Sequence, residues 1–164
     1  MRARRLAFLS AMFFSLATVQ ASAQEAVFII RHAEKAAGDD PALLPEGVLR
    51  AGRWADMLQN AGIDHVITST AQRTRETGGI IAKALGVDTD AFAPADIAGI
   101  TDLISFDYED GTVLVVGHTE TIPKILSELG AFDLYSLDPE DFGRLFVVIP
   151  DEEGPSILDL QMPD

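Results

Sequence analysis

Apolar residues along this chain follow two rhythms. Ala26-Val27-Phe28-Ile29-Ile30, Thr112-Val113-Leu114-Val115-Val116 and Leu145-Phe146-Val147-Val148-Ile149 are short and nearly unbroken, and His65-Val66-Ile67-Thr68-Ser69 is a weaker version. Such runs, without polar alternation, fit strands buried on both faces, as inside a parallel sheet. Between them apolar residues recur at helical spacing. Val48, Ala51, Trp54, Ala55 and Leu58 mark one face of a helix from Pro45 to Asn60, with proline suited to its first turn. A second helix follows Ser69, where Ser69 and Gln72 have capping-box spacing, and ends at Leu85-Gly86. Arg73, Thr77, Ile80 or Ile81, and Ala84 share a face of that helix, whereas Arg75 is turned about 200° away, toward solvent. A short strand within 87–93, a helix from Pro94 carrying Ile97, Ile100, Leu103 and Ile104, and a short helix from Ile122 to Leu129 complete the alternation. Ser156 to Leu160 pairs back onto Leu145 to Ile149 across the turn of 150–155, a terminal hairpin. The order predicts an α/β three-layer α/β/α sandwich with a mainly parallel central sheet and a C-terminal hairpin.

Charged and imidazole side chains stand where these strands end. Arg31-His32-Ala33-Glu34 follows the first, Ser69 to Thr77 with Arg73 follows the second, and Gly117-His118-Thr119 follows the clearest buried strand. Ligands of open α/β sheets bind beyond the carboxyl ends of the strands. One such cluster is well explained as a solvated strand cap; three in equivalent positions point to a site. Arg31 and Arg73 can each give a phosphate two parallel hydrogen bonds, and the start of the helix carrying Arg73 adds a favourable dipole. His65 lies at the start of its strand, at the opposite end, and reads as structural.

These three segments, in this order, resemble the motifs of the histidine phosphatase superfamily, the phosphoglycerate mutase-like fold. The resemblance spans the chain after residue 23 and implies the same sandwich. It further implies that His32 is the nucleophile that becomes phosphorylated, that Arg31 and Arg73 bind the phosphate, and that His118 is a cationic partner of the transferring group. Those roles demand a neutral His32 and a charged His118, and a bound dianion favours the latter. Two departures stand out. Ala33 replaces the usual glycine, and Thr119 occupies the place of the aspartate in the acid-phosphatase branch. The general acid therefore stays open among Glu120, Asp96, Asp102 and Asp107, with Glu120 the first choice because it lies two residues past His118.

The amino terminus bears on compartment. Arg2, Arg4 and Arg5, the apolar stretch from Leu6 to Val19 and Ala21-Ser22-Ala23 form the basic, hydrophobic and small-x-small parts of a secretory signal peptide, too short for a membrane span of about 20 residues. The expected organisation is a leader over 1–23 and one domain over 24–164, in the periplasm or secreted, with no membrane insertion once the leader is removed. Formal charge is −14, and the leader contains basic but no acidic residues, so the mature chain is more acidic still. That field repels nucleic acid, and any phosphate site must be a local basic pocket. Cysteine is absent, which excludes disulfides and a thiol nucleophile. No glycine-rich phosphate loop of the Walker or dinucleotide-binding type is present.

The function expected is hydrolysis of a small phosphorylated substrate, a phosphomonoester, through phosphohistidine on His32, without cofactor or metal. Two alternatives share the fold: a non-catalytic phospho-ligand-binding protein, and a phosphohistidine-protein phosphatase. A metal-dependent hydrolase using His32, His118 and carboxylates is disfavoured, because the three histidines lack close ligand spacing.

Overall fold

The computed structural model describes residues 26–108, 110–131, 135–151 and 153–162. The expected leader of residues 1–23 lies outside the described residues. The ten elements are β1 (Ala26–Arg31), α1 (Pro45–Leu58), β2 (His65–Ser69), α2 (Gln72–Leu85), β3 (Asp88–Phe92), α3 (Ile97–Phe106), β4 (Thr112–Gly117), α4 (Ile122–Glu128), β5 (Arg144–Ile149) and β6 (Ser156–Gln161). Every predicted element is present, with ends moved by one to a few residues.

The six strands form one sheet in the order β3-β2-β4-β1-β5-β6. β3, β2, β4 and β1 run parallel, while β5 and β6 are antiparallel to their neighbours. Side-chain alternation divides the core into two layers. Ile30, Val66, Leu114 and Val116 pack with Trp54, Ala55, Leu58, Ile81 and Ala82 of α1 and α2. Val27, Ile29, Ile67, Val113 and Val115 pack with Ile100, Ile104, Ile122, Ile125 and Leu126 of α3 and α4. Trp54 is fully buried, in the core as its spacing predicted. Val48, expected on the same face, is half exposed. Ala84 likewise points outward, and Thr74, Gly78 and Ala82 join Thr77 and Ile81 on the buried face of α2.

The strand order has a functional consequence. β1 and β4 are adjacent and parallel, with Arg31 opposite Gly117. From β1 the chain travels to β2 on one side; from β4 it travels through α4 to β5 on the other. The carboxyl ends of β1 and β4 therefore flank a topological switch point, where the diverging connections leave a crevice. The backbone closes that junction tightly, since the His32 N–H donates to the Gly117 carbonyl at 3.0 Å. Gly117 is needed there for space: a Cβ would meet Ile122 at 2.9 Å and Thr121 at 3.2 Å.

Candidate active site

The crevice gathers Arg31 and His32 from the end of β1, Ser69 from β2, Arg73 from the first turn of α2, and His118 just past β4. His32, His118, Ser69 and Arg31 are buried. The two imidazole rings stand edge to face with centroids 5.4 Å apart.

Hydrogen bonds assign the tautomers. His32 Nδ1 is 2.8 Å from the Ala33 carbonyl, which can only accept, so Nδ1 carries the proton and the lone pair resides on Nε2. The Ala33 N–H in turn donates to Thr77 Oγ1 at 3.1 Å, and that hydroxyl donates to the Arg73 carbonyl at 2.8 Å. α2 is thus pinned to the backbone behind His32. At His118, Arg73 Nη2 approaches Nδ1 at 3.2 Å; a guanidinium only donates, so Nδ1 accepts and Nε2–H donates to Ser69 Oγ at 2.9 Å.

Electrostatics agree with two neutral rings. Burial, then the charge of Arg31, pushes His32 down to about 3, against the opposing pull of its bond to Ala33. Burial and Arg73 push His118 down to about 4, opposed by Glu120. Neutral His32 matches the requirement of a nucleophile. The positive charge expected on His118 is not set by the protein's own groups; it depends on a dianion supplying the opposite field.

Both arginines carry an unused donor. Arg31 Nη1 donates to the carbonyls of Pro139 and Asp141, and its guanidinium lies 4.1 Å from the Phe142 ring centre. Arg73 bonds to His118 and lies 3.8 Å from Asp40. Yet Nε of each is buried without a partner. A buried orphan donor costs about 1–3 kcal/mol, and an anion between the two guanidiniums would relieve it. Among the described residues no group of three or more His, Asp or Glu side chains is placed to hold a metal.

One sequence-based expectation needs correction. Ser69 and Gln72 do not form a capping box: the N-cap of α2 is Ala71, Ser69 Oγ holds His118, and the Gln72 N–H donates to Asp40 from the preceding loop at 2.7 Å. The dipole of α2 is therefore shared with an internal carboxylate. Asp96 is the N-cap of α3, accepting from Gly99 N at 3.0 Å, and Asp107 caps the far end of the same helix beside Tyr108. Neither acts on the charge of Arg31, His32 or His118. Of the four candidates, Glu120 alone acts on the charges of both Arg31 and His118. Its residue is exposed at the crevice and its side chain has no hydrogen bond among the described residues.

The sequence reading missed the loop 139–142 that fixes Arg31. Its residues lie more than a hundred positions away and have no motif to mark them. The role of Ser69 was missed too, although it opens the middle motif. Glu34, in the first motif, is held by Arg50 Nε at 2.7 Å. Gly47 makes this docking possible, since a Cβ there would sit 2.2 Å from the Glu34 carbonyl oxygen.

The chain is similar to known proteins in sequence and in fold. Residues 27–93 match the family described as histidine phosphatase superfamily (branch 1). No curated protein matches the chain in sequence. Among solved structures, one described as the phosphohistidine phosphatase SixA of Agrobacterium tumefaciens is 26% identical, with a TM-score of 0.66, covering 85% of this chain and 99% of its own. A protein histidine phosphatase SixA complexed with tungstate is 21% identical, with a TM-score of 0.67 and coverage of 83% and 96%. A mycobacterial glucosyl-3-phosphoglycerate phosphatase is 11% identical, with a TM-score of 0.63 and coverage of 84% and 97%. The last two show likeness of fold alone. With its three motifs brought together at the switch point of the sheet, the chain has the phosphoglycerate mutase-like fold and is similar to the histidine phosphatase superfamily over residues 27–93.

Proposed function

We propose that the protein is a metal-independent phosphatase acting outside the cytoplasm, hydrolysing phosphomonoesters through a phosphohistidine on His32. One observation carries the reading: His32 Nδ1–H is tied to the Ala33 carbonyl, which leaves Nε2 unprotonated and aims a nucleophile into a crevice holding two under-bonded arginines. Arg31 and Arg73 take the nonbridging oxygens with charge-assisted bonds. Nε2 of His32 forms the N–P bond as the P–O bond to the alcohol breaks, and the departing oxygen takes a proton from Glu120. Water then attacks phosphorus, the N–P bond breaks, and inorganic phosphate leaves. Splitting the displacement in two replaces one difficult step by two easier ones. His118 gains its proton as the dianion binds and stabilises charge on the transferring group, with Ser69 holding its ring.

Hydrolysis of 4-nitrophenyl phosphate in excess chelator, with acid-labile, base-stable phosphate trapped on His32, is the expected result. Activity lost to chelator and restored by one divalent ion would move the protein to the metal-hydrolase class. Binding of phosphate without any turnover would make it a phospho-ligand-binding protein. Similarity to SixA favours a second substrate class, phosphohistidine on a protein, which turnover of a phosphohistidine-bearing protein in preference to small esters would establish. Export rests on the leader of residues 1–23, and amino-terminal sequencing of the exported protein should begin at Gln24.

A further inference from the structure

Beside Arg31 lies a cavity of about 400 Å³, one wall of which, Phe142, has its ring centre 6.2 Å from that of His32. Leu44, Pro139 and Phe142 give it apolar walls, and Glu34, Lys35, Glu46 and Glu140 supply charge. Arg31, only 7% exposed, forms one wall of the cavity, and its Nε is buried without a protein partner.

The charges that remain after each known pairing define what that ligand carries. Glu34 is matched by Arg50 at 2.7 Å. Arg31 is matched by the phosphate. Lys35 is then left against two carboxylates, Glu46 and Glu140, and neither forms an ion pair among the described residues. Glu140 is the strongest of the charges acting on Arg31, ahead of Glu120 and Asp141. The chain around them has a formal charge of −14. A leaving group with a carboxylate or second phosphate would enter against that field, whereas a cationic one would be drawn in.

We propose that this cavity selects phosphomonoesters whose alcohol bears an ammonium group, zwitterionic substrates of the aminoalkyl phosphate kind. The phosphate is held by Arg31 and Arg73, the short carbon chain lies on Leu44, Pro139 and Phe142, and the ammonium is shared by Glu46 and Glu140. The products are inorganic phosphate and an amino alcohol. This selectivity rests on the phosphatase reading for its substrate, but the binding preference can be tested without turnover.

The test uses three non-hydrolysable probes of similar size on the whole protein, with dissociation constants measured by calorimetry at low salt: 2-aminoethylphosphonate, ethylphosphonate and phosphonoacetate. 2-Aminoethylphosphonate should bind about tenfold more tightly than ethylphosphonate, the sum of two partly exposed ion pairs, and phosphonoacetate most weakly. In Glu46→Gln/Glu140→Gln the ratio between the first two should fall toward one. Arg50→Gln, which disturbs charge near the cavity without touching that pair, should keep the ratio above one. Equal binding of the first two probes, tighter binding of phosphonoacetate, or a ratio unchanged in the double variant overturns the proposal. Kinetics with phosphoethanolamine and ethyl phosphate then separate the two readings. Turnover of both at equal kcat/KM keeps the phosphatase and removes the ammonium preference. The ammonium preference in binding, with no hydrolysis of either, keeps the pocket and removes the phosphatase.

Discussion

The two ends of the sheet each hold buried histidine in a charged setting, and the settings are opposite in sign. At the carboxyl ends of β1 and β4, His32 and His118 face Arg31 and Arg73. At the start of β2, His65 Nε2 lies 3.0 Å from Asp90 and its ring stacks on Tyr108 at 4.6 Å. Around that pair, burial and then Asp90, Asp107, Asp88 and Asp64 raise the Tyr108 phenol. A cavity of about 310 Å³ lies near Tyr108 too, bounded by Val27, Ile104, Leu129 and Val148. It has room but no converging cations. In a chain this acidic, position relative to strand direction, and not burial or ring type, separates histidines that meet arginines from one that fastens a sheet edge.

The sharpest test of that contrast exchanges function for stability. His32→Ala should lower turnover by on the order of 10⁴–10⁶ and leave the fold intact, as loss of a nucleophile does. His65→Asn should leave kcat within about twofold and instead destabilise the protein by about 1–2 kcal/mol, measured by urea denaturation. Substantial activity in the first variant would remove the nucleophile assignment.

Next in size is the leaving-group proton. Glu120→Gln keeps shape and loses the acid, so alkyl phosphates should slow by about 10²–10⁴. 4-Nitrophenyl phosphate, whose leaving group needs no proton, should change little. Similar small losses on both substrates would make Glu120 a surface residue of the α4 approach.

Smaller still is the contribution of one guanidinium. Arg73→Ala removes a charge-assisted donor worth about 1.5–3 kcal/mol, which weakens inhibition by inorganic phosphate by roughly 10- to 150-fold. Inhibition unchanged in the variant would show that Arg73 serves only to hold His118.

The smallest effect is on stability against pH. The folded values of about 3 for His32 and about 4 for His118 lie below the ordinary value of 6.5. Below that value the unfolded chain binds protons that the native chain refuses, so stability is full above about pH 6.5 and declines as pH falls toward 4. Each histidine should cost about 1–2 kcal/mol at pH 5. His118→Asn should therefore flatten the fall of Tm between pH 6.5 and 4.5, whatever its effect at neutral pH. A slope identical to that of the unsubstituted protein would mean that His118 is already protonated there.

The features readable from the order of residues are local in origin. Unbroken apolar runs, the helical recurrence of Ala51, Trp54, Ala55 and Leu58, and the prolines and glycines at element ends depend on neighbours within a few residues, so strand and helix are legible without the fold. Arg31, His32 and His118 stand at or just past the carboxyl end of a strand and Arg73 in the first turn of the helix after one, so strand direction sends all four to one end. Tertiary structure decided the rest. The anchoring of Arg31 by Pro139 and Asp141, the bond from Ser69 to His118, the replacement of a capping box by Asp40, and the separation of Glu120 from Asp96 and Asp107 all join residues from different elements. Hydrogen bonds and charges act over a few ångströms in space, and sequence spacing measures that distance only within an element; between elements, the order and direction of the strands determine it.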